Sequence, residues 1–121
     1  MSDKIAEAEY ERGNDLFGEG RIEDAARAWQ AAARALTRQE DALALDLYEN
    51  LGVALWRLGR WRAATRALLR ALDGDLTARE QALRLVVSCC FRDGRALDGE
   101  RFLGIYEARF GPHPEAWTRS R

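Results

Sequence analysis

The dipeptide Gly-Arg occurs three times in this chain, each time between two stretches with helical periodicity. The copies begin at Gly20, Gly59 and Gly94, 39 and 35 residues apart, and a small residue follows each glycine by five positions. Glycine is typical of the position just after a helix C-terminus, where the backbone becomes left-handed. A single helix pair of this size cannot bury both of its apolar faces, so the repetition predicts three helix–turn–helix units that stack on one another.

The middle unit, residues 51–72, carries the pattern most clearly. Apolar residues recur at helical spacing from Leu51 to Leu58 and again from Trp61 to Leu72. Gly52 lies within the first helix, where glycine costs about 1 kcal/mol relative to alanine. We therefore expect close helix approach at Gly52, and Ala64 is small for the same reason.

Start and stop signals place six helices along the chain. Ser2 is a candidate N-cap, and Thr37 with Glu40 and Thr77 with Glu80 form two candidate capping boxes. The first capping box makes the third helix longer than its counterparts. The predicted ranges are about 3–18, 23–36, 38–58, 61–72, from the Thr77 box to 93, and from the third Gly-Arg turn to 111.

The length of 121 residues is that of one domain. The composition is typical of an all-α protein, since there are only two prolines and the sequence is rich in Ala, Leu, Arg and Glu. No apolar run approaches the roughly 20 residues of a membrane span. The acidic N-terminus lacks the apolar region of a signal peptide. Cys89 and Cys90 are adjacent and cannot join distant segments, so we expect a reduced, cytoplasmic setting.

Charge is distributed unevenly along the chain. Residues 1–50 contain 6 Lys/Arg and 12 Asp/Glu, a net of −6, whereas residues 51–121 contain 13 and 8, a net of +5. Such polarity favours a charged partner or head-to-tail contact between copies. Ordinary solvated helix faces explain it equally well, and both interpretations stay open.

The three units resemble tetratricopeptide repeats (TPR). Several family positions are matched in each unit: Gly13, Leu16, Gly20, Ala25, Trp29 and Ala32; Tyr48, Leu51, Gly52, Leu55, Gly59, Ala64, Leu68 and Ala71; Leu83, Val86, Cys90, Gly94, Gly99 and Leu103. The repeats span about residues 6–37, 45–76 and 80–111, in a domain at 1–112 with a short tail at 113–121. Departures include Glu9, Arg12, Val87 and Tyr106, missing repeat-ending prolines, and about five residues inserted before repeat two. We assign the insertion to the third helix.

The resemblance implies a right-handed superhelix whose concave groove, lined by the first helix of each repeat, binds a peptide or protein segment. The implied groove residues are Tyr10, Asn14, Phe17, Glu49, Asn50, Val53, Trp56, Arg57, Arg84, Ser88, Phe91 and Arg92. Three of them, Phe17, Trp56 and Phe91, fall at one equivalent site, where aromatic residues form the groove floor or pad the packing between repeats. The carboxylate clamp of chaperone-binding TPR proteins is not expected, because Tyr10, Gln81 and Leu85 occupy its cationic positions.

Catalytic, cofactor and metal motifs are not found. His113 lies in the tail between prolines, where a base or metal ligand would lack neighbours. Cys89 and Cys90 lack CxxC spacing, and Cys90 falls on a core position of the fifth helix, so both are expected to be small buried residues. We therefore expect neither an enzyme nor a cofactor.

Two further surfaces give alternative interpretations. The sixth helix spreads apolar residues over more than one stripe, which indicates self-association through Phe102, Ile105, Tyr106 and Phe110 unless Trp117 folds back over them. The fourth helix carries Arg62, Arg66 and Arg70 at intervals of four residues. This stripe could meet a phosphate backbone, but with an overall pI near 5.9 a solvated face is favoured.

These observations together favour a non-enzymatic protein–protein interaction module, an adaptor or chaperone-like protein that binds a protein or peptide partner in the groove. Neither nucleic acid nor a membrane is an expected partner. The alternative is a structural protein that oligomerises through its uncapped C-terminal helix.

Overall fold

Six α-helices, arranged as three antiparallel pairs, account for the regular structure in the part of the chain that the structure describes. The computed structural model describes residues 2–38 and 41–115, and no strand occurs within these ranges. The helices are α1 (Ser2–Gly18), α2 (Ile22–Ala35), α3 (Ala42–Arg57), α4 (Trp61–Leu72), α5 (Glu80–Arg92) and α6 (Ala96–Phe110). The all-α prediction is confirmed for the described residues. None of these helices is both long and apolar enough to cross a bilayer.

The three Gly-Arg turns have nearly the same geometry. The glycines have φ of 81°, 77° and 76°, and the arginines that follow have ψ of 71°, 73° and 69°. In the middle turn, Arg60 N–H donates to the carbonyl of Leu55 at 2.9 Å and Gly59 N–H to that of Trp56 at 3.0 Å, which is a Schellman motif. The equivalent bonds recur in the other two turns. Each helix pair is therefore closed in the same way, as the repetition in the sequence predicted.

Glycines on the first helix of the first two pairs allow the second helix to approach closely. A Cβ on Gly52 would lie 2.5 Å from the Leu68 side chain, and one on Gly13 would lie 2.3 Å from the indole of Trp29. These distances are far below van der Waals contact, so a side chain would force the pair apart. The close approach expected at Gly52 is confirmed, and Ala64 is fully buried.

Buried apolar residues form two clusters that share the middle pair. The first joins α1, α2 and one face of α3, including Leu47 and Leu51. The second joins α5, α6 and part of α4, including Leu68 and Leu72. Cys89 and Cys90 are fully buried in the second cluster, as expected, and burial raises the pKa of Cys89 to about 12.

The third helix is shorter than predicted. It begins at Ala42 and has 16 residues, so it is longer than α5, with 13, but the expectation that it is longer than both counterparts is wrong because α1 has 17. The physical reason lies in Leu36, which is buried in the first cluster with an extended backbone (φ −72°, ψ 138°) and ends α2. The inserted residues therefore lengthen the connection between the first two pairs. Glu40, the partner of Thr37 in the predicted capping box, lies outside the described residues.

The second predicted capping box is wrong. The α5 helix begins at Glu80 with Arg79 as its N-cap, and no side chain caps its first turn. Thr77 instead donates through its backbone N–H (3.1 Å) and its hydroxyl (3.2 Å) to Oδ1 of Asp75. An aspartate two residues upstream can bind these donors locally, and here it competes successfully with the cap.

Candidate functional site

Side chains from the first helix of all three pairs line a single cleft of about 280 Å³. The lining residues are Asn14 and Phe17 from α1, Trp29 from α2, Asn50 and Val53 from α3, and Gln81 from α5. Four of these, Asn14, Phe17, Asn50 and Val53, are among the predicted groove residues. The structure thus brings together predicted residues from α1 and α3.

Trp29 and Phe17 form the aromatic wall of this cleft. Their ring centroids are 5.6 Å apart, and the indole N–H of Trp29 donates to the backbone carbonyl of Tyr10 at 3.1 Å. Trp29 is almost fully buried, and it reaches the cleft because Gly13 has no side chain to block the ring. Sequence reasoning assigned Trp29 only to the repeat pattern, and the Gly13–Trp29 combination is the signal that could have placed it here.

Three amide side chains, from Asn14, Asn50 and Gln81, provide the polar part of the lining. Within residues 2–38 and 41–115, none of the three amides has an intramolecular hydrogen-bond partner. Each amide offers one acceptor and two donors. Such groups can bind both the N–H and the C=O of an extended polypeptide backbone.

Arg57 brings a positive charge to the rim of the cleft. Its guanidinium lies 5.3 Å from the ring centroid of Phe17, a cation–π contact that orients the side chain. Arg57 is exposed, and no carboxylate in the described part of the chain forms an ion pair with it. The cation is therefore available for an acidic group outside this chain.

Trp56 and Ser88 lie between α3 and α5 rather than in the open cleft. The indole N–H of Trp56 donates to Ser88 Oγ at 2.9 Å, and Arg92 Nε donates to the same oxygen at 3.1 Å. Ser88 is fully buried, so its prediction as a partner-contacting residue is wrong. A buried serine is retained here because its oxygen accepts both donors.

Of the three equivalent aromatics, only Phe17 lines the cleft. Phe91 packs on α6, where a Cβ on Gly99 would lie 2.9 Å from its ring. Trp56 is half-buried with its N–H bonded across the repeat boundary. The alternative interpretation, padding of the helix packing, therefore describes Trp56 and Phe91 better than a common aromatic floor does.

Ion pairs within the chain neutralise several of the charges predicted for the groove. Arg79 contacts Glu49 at 3.0 Å and Asp46 at 2.8 Å, and these carboxylates, Asp46 foremost, raise the pKa of Arg79. Arg84 contacts Glu80 at 3.0 Å. Glu49 and Arg84 are therefore less available to a charged partner than their formal charges suggest, because both already have partners.

Residues 111–115, here called the C-terminal segment, fold back along α5. His113 is buried: its Nε2 donates to the carbonyl of Arg84 at 3.0 Å, and its Nδ1 accepts from Glu115 N–H at 3.0 Å. Glu115 also contacts Arg92 at 2.8 Å. The expectation that His113 lacks neighbours is wrong, because the chain reverses direction after Gly111. Trp117 lies outside the described residues.

The apolar surface predicted on the sixth helix is largely covered. Phe102 and Tyr106 are buried in the second cluster, and Ile105 and Phe110 are half-buried against it, so only part of the predicted self-association patch is accessible. The His113 ring lies 5.0 Å from that of Tyr106 and covers it. Phe102 and Tyr106 point inward because α6 packs them on α5.

Tyr106 is also held by a hydrogen bond from its hydroxyl to Glu80 at 2.5 Å. Burial together with this bond raises the pKa of Tyr106 to about 12. The same bond, followed by that from Arg84, lowers the pKa of Glu80. Tyr106 therefore stays neutral and Glu80 stays charged over the physiological range.

The arginine stripe of α4 is exposed, but two of its members make contacts. Arg62 lies 3.4 Å from Asp93, and Arg70 lies over the ring of Tyr48 at 4.3 Å. These contacts join α4 to the neighbouring helices α5 and α3. They agree with the favoured interpretation of a solvated face.

Metal-ligating side chains do not converge in groups of three or more anywhere in residues 2–38 and 41–115. Comparisons with protein-family models, with curated proteins and with solved structures returned no match to this chain.

Proposed function

We propose that this protein is a TPR-like interaction module that binds an extended segment of a partner protein across the first helices of its three repeats. It acts as an adaptor or chaperone-like protein without chemistry of its own. The observation that carries the proposal is the cleft itself, because α1, α3 and α5 all contribute side chains to it.

The cleft suits a segment with one apolar anchor. Its volume of about 280 Å³ is at the lower limit of small-molecule pockets and is large enough for one or two side chains. An anchor buried against Phe17, Trp29 and Val53 supplies affinity, since buried aromatic contacts dominate such interfaces. The amides of Asn14 and Asn50 bind the partner backbone on either side.

Arg57 adds a preference for an acidic residue beside the anchor. Its position over Phe17 places the cation next to the apolar part of the cleft. A carboxylate one or two residues from the anchor would form a charge-assisted hydrogen bond there. The two fully buried cysteines are compatible with the reduced cytoplasmic setting that forms part of the proposal.

Affinity capture from the native lysate tests the proposal. The groove variant Asn50→Ala/Val53→Glu/Arg57→Glu is compared with wild type. The matched control is Gln30→Ala/Ala31→Glu/Arg66→Glu, which introduces the same change of charge at exposed positions of α2 and α4. All three proteins must first show equal helicity by circular dichroism.

A protein that wild type and the control variant both retain, and that the groove variant loses, supports the proposal and identifies the partner. Equal capture by all three proteins would overturn it. Oligomerisation through α6 is not carried forward as a second function, because Phe102 and Tyr106 are buried.

A further inference from the structure

The C-terminal segment lies on α5 where the TPR resemblance places the third-repeat part of the groove. Arg84, Ser88 and Arg92 are four residues apart and share one face of this helix. The segment contacts this face at both ends, through His113 at the Arg84 carbonyl and through Glu115 at the Arg92 guanidinium. It therefore runs along α5 as a bound peptide would.

The contacts that His113 and Glu115 make with α5 differ in how easily an outside group can replace them. His113 is buried, and both ring nitrogens have backbone partners. The Glu115–Arg92 pair is more accessible, with side-chain exposures of 28% and 40%. Accessible ion pairs contribute little net stability because solvent competes for both charges. An acidic group from outside can therefore replace Glu115 at little cost.

The group that pairs with Arg92 affects a hydrogen bond of Trp56 in α3. Arg92 donates to Ser88 Oγ, and the same oxygen accepts the indole N–H of Trp56. A change in the position of Arg92 therefore alters the hydrogen bond of Trp56. The indole N–H gives a distinct NMR signal, which makes Trp56 a reporter of this site.

We propose that the side of α5 that carries the Arg84 carbonyl and the Arg92 guanidinium is a docking surface for an extended acidic polypeptide segment, and that residues 111–115 are its resident occupant. A partner segment competes with this occupant from the accessible Glu115 end, by placing a carboxylate on Arg92. The inference rests on the proposed function, since it assigns the third-repeat end of the same groove. Because Glu115 pairs with Arg92, a partner segment that binds here is expected to carry a carboxylate at the same position.

The test uses peptides that copy the resident occupant. The probe is the synthetic peptide Phe-Gly-Pro-His-Pro-Glu, and the matched control peptide has Gln in place of Glu. Each is titrated into three full-length, ¹⁵N-labelled proteins: wild type, the tail-released variant His113→Ser/Glu115→Gln, and the same variant with Arg92→Gln. Circular dichroism checks that helicity is unchanged, and Glu115→Gln alone serves if the double variant fails to fold.

The tail-released variant is expected to bind the Glu peptide about tenfold more tightly than wild type, because a tethered segment competes at an effective concentration in the millimolar range. The Trp56 indole signal should shift on binding. The Gln peptide should bind several-fold more weakly, and Arg92→Gln should remove the difference between the two peptides.

Equal binding to wild type and to the tail-released variant would overturn the proposal, as would equal binding of both peptides or an unmoved Trp56 signal. Wild-type spectra that change with protein concentration would show exchange of tails between copies, which contradicts a resident intramolecular occupant. The groove variant used for capture leaves α5 intact, so a failure here is distinguishable from a failure of the proposed function.

Discussion

Glycine has opposite effects at two positions within these helices. Gly52 faces Leu68 at a distance that leaves no room for a side chain, whereas a Cβ on Gly104 would have no atom within 4 Å. Both residues lie inside a helix, at α3 and α6, where glycine is intrinsically unfavourable. At Gly52 the close packing determines how an added side chain changes stability, whereas at Gly104 the backbone entropy determines it.

Gly52→Ala should therefore destabilise the protein by about 1–3 kcal/mol through overpacking. Gly104→Ala should stabilise it by about 0.5–1 kcal/mol through helix propensity. Urea unfolding followed by circular dichroism measures both free energies of unfolding. Stabilisation by Gly52→Ala would contradict the close approach of α3 and α4.

The Tyr106–Glu80 hydrogen bond should make stability depend on pH at both extremes. The pKa of Tyr106 is raised from 10 to about 12 in the folded state, so the unfolded chain loses this proton first and stability falls between those pH values. The pKa of Glu80 is lowered, so its contribution is present above the usual carboxyl pKa and is lost as pH falls.

Tyr106→Phe should therefore make the unfolding free energy less dependent on pH in both the acidic and the alkaline range. Part of the alkaline dependence should remain in both proteins, because the pKa of Cys89 is also raised. Denaturant unfolding at several pH values between about 3 and 11 measures the two profiles. Parallel profiles for wild type and variant would show that the bond does not couple to folding.

At the scale of the helices, the arginines of the second and third turns join successive pairs. Arg60 reaches back to Glu23 of α2 at 2.6 Å, and Arg95 reaches back to the Thr65 hydroxyl of α4 at 3.1 Å. Arg95 also contacts Asp93 at 2.9 Å and is less exposed than Arg60, 29% against 51%. The second and third turn arginines thus link their own pair to the preceding one, whereas Arg21 of the first turn contacts Glu19 and Asp24 of its own pair.

Arg95→Ala should cost about 1 kcal/mol, because it leaves a buried hydroxyl without its donor. Arg60→Ala should cost under about 0.5 kcal/mol, since its pair is exposed. Thermal and urea unfolding of the two variants give this ranking. A larger loss at Arg60 would mean that its pair with Glu23 is stronger than its exposure indicates.

The sequence predicts the turns well and the connections poorly, for a physical reason. A turn such as Gly59-Arg60 is determined by backbone geometry within six consecutive residues. The extended Leu36 and the buried His113 depend on tertiary packing, which periodicity does not encode. The same distinction applies to the site: Asn14 and Val53 follow from repeat register, whereas the burial of Ser88 follows from a hydrogen bond across two repeats.

The two clusters of the whole molecule share the middle pair, so each half depends on α3 and α4. Leu47 and Leu83 are both fully buried, Leu47 in the first cluster and Leu83 in the second. In stacked repeats, stability is approximately a sum of units and their nearest-neighbour contacts. A substitution that destabilises one cluster should therefore destabilise the helices of that cluster more than the remaining helices.

Leu83→Ala should cost about 2–5 kcal/mol and reduce hydrogen-exchange protection mainly in α5 and α6. Leu47→Ala is the matched substitution and should reduce protection mainly in α1, α2 and α3. Hydrogen exchange with mass spectrometry resolves these segments. Uniform loss of protection in both variants would show that the molecule unfolds as one unit.

The order of contacts along the chain has a consequence for synthesis. Helices that are adjacent in sequence form nearly all of the helix packing, with α3 against α5 as the main exception. Each Schellman turn needs only six consecutive residues. Each pair can therefore form its turn and its internal helix contacts soon after it leaves the ribosome, and it buries its remaining apolar face when the next pair packs on it. Translation order and stacking order coincide, so each new pair finds the pair on which it packs already synthesised.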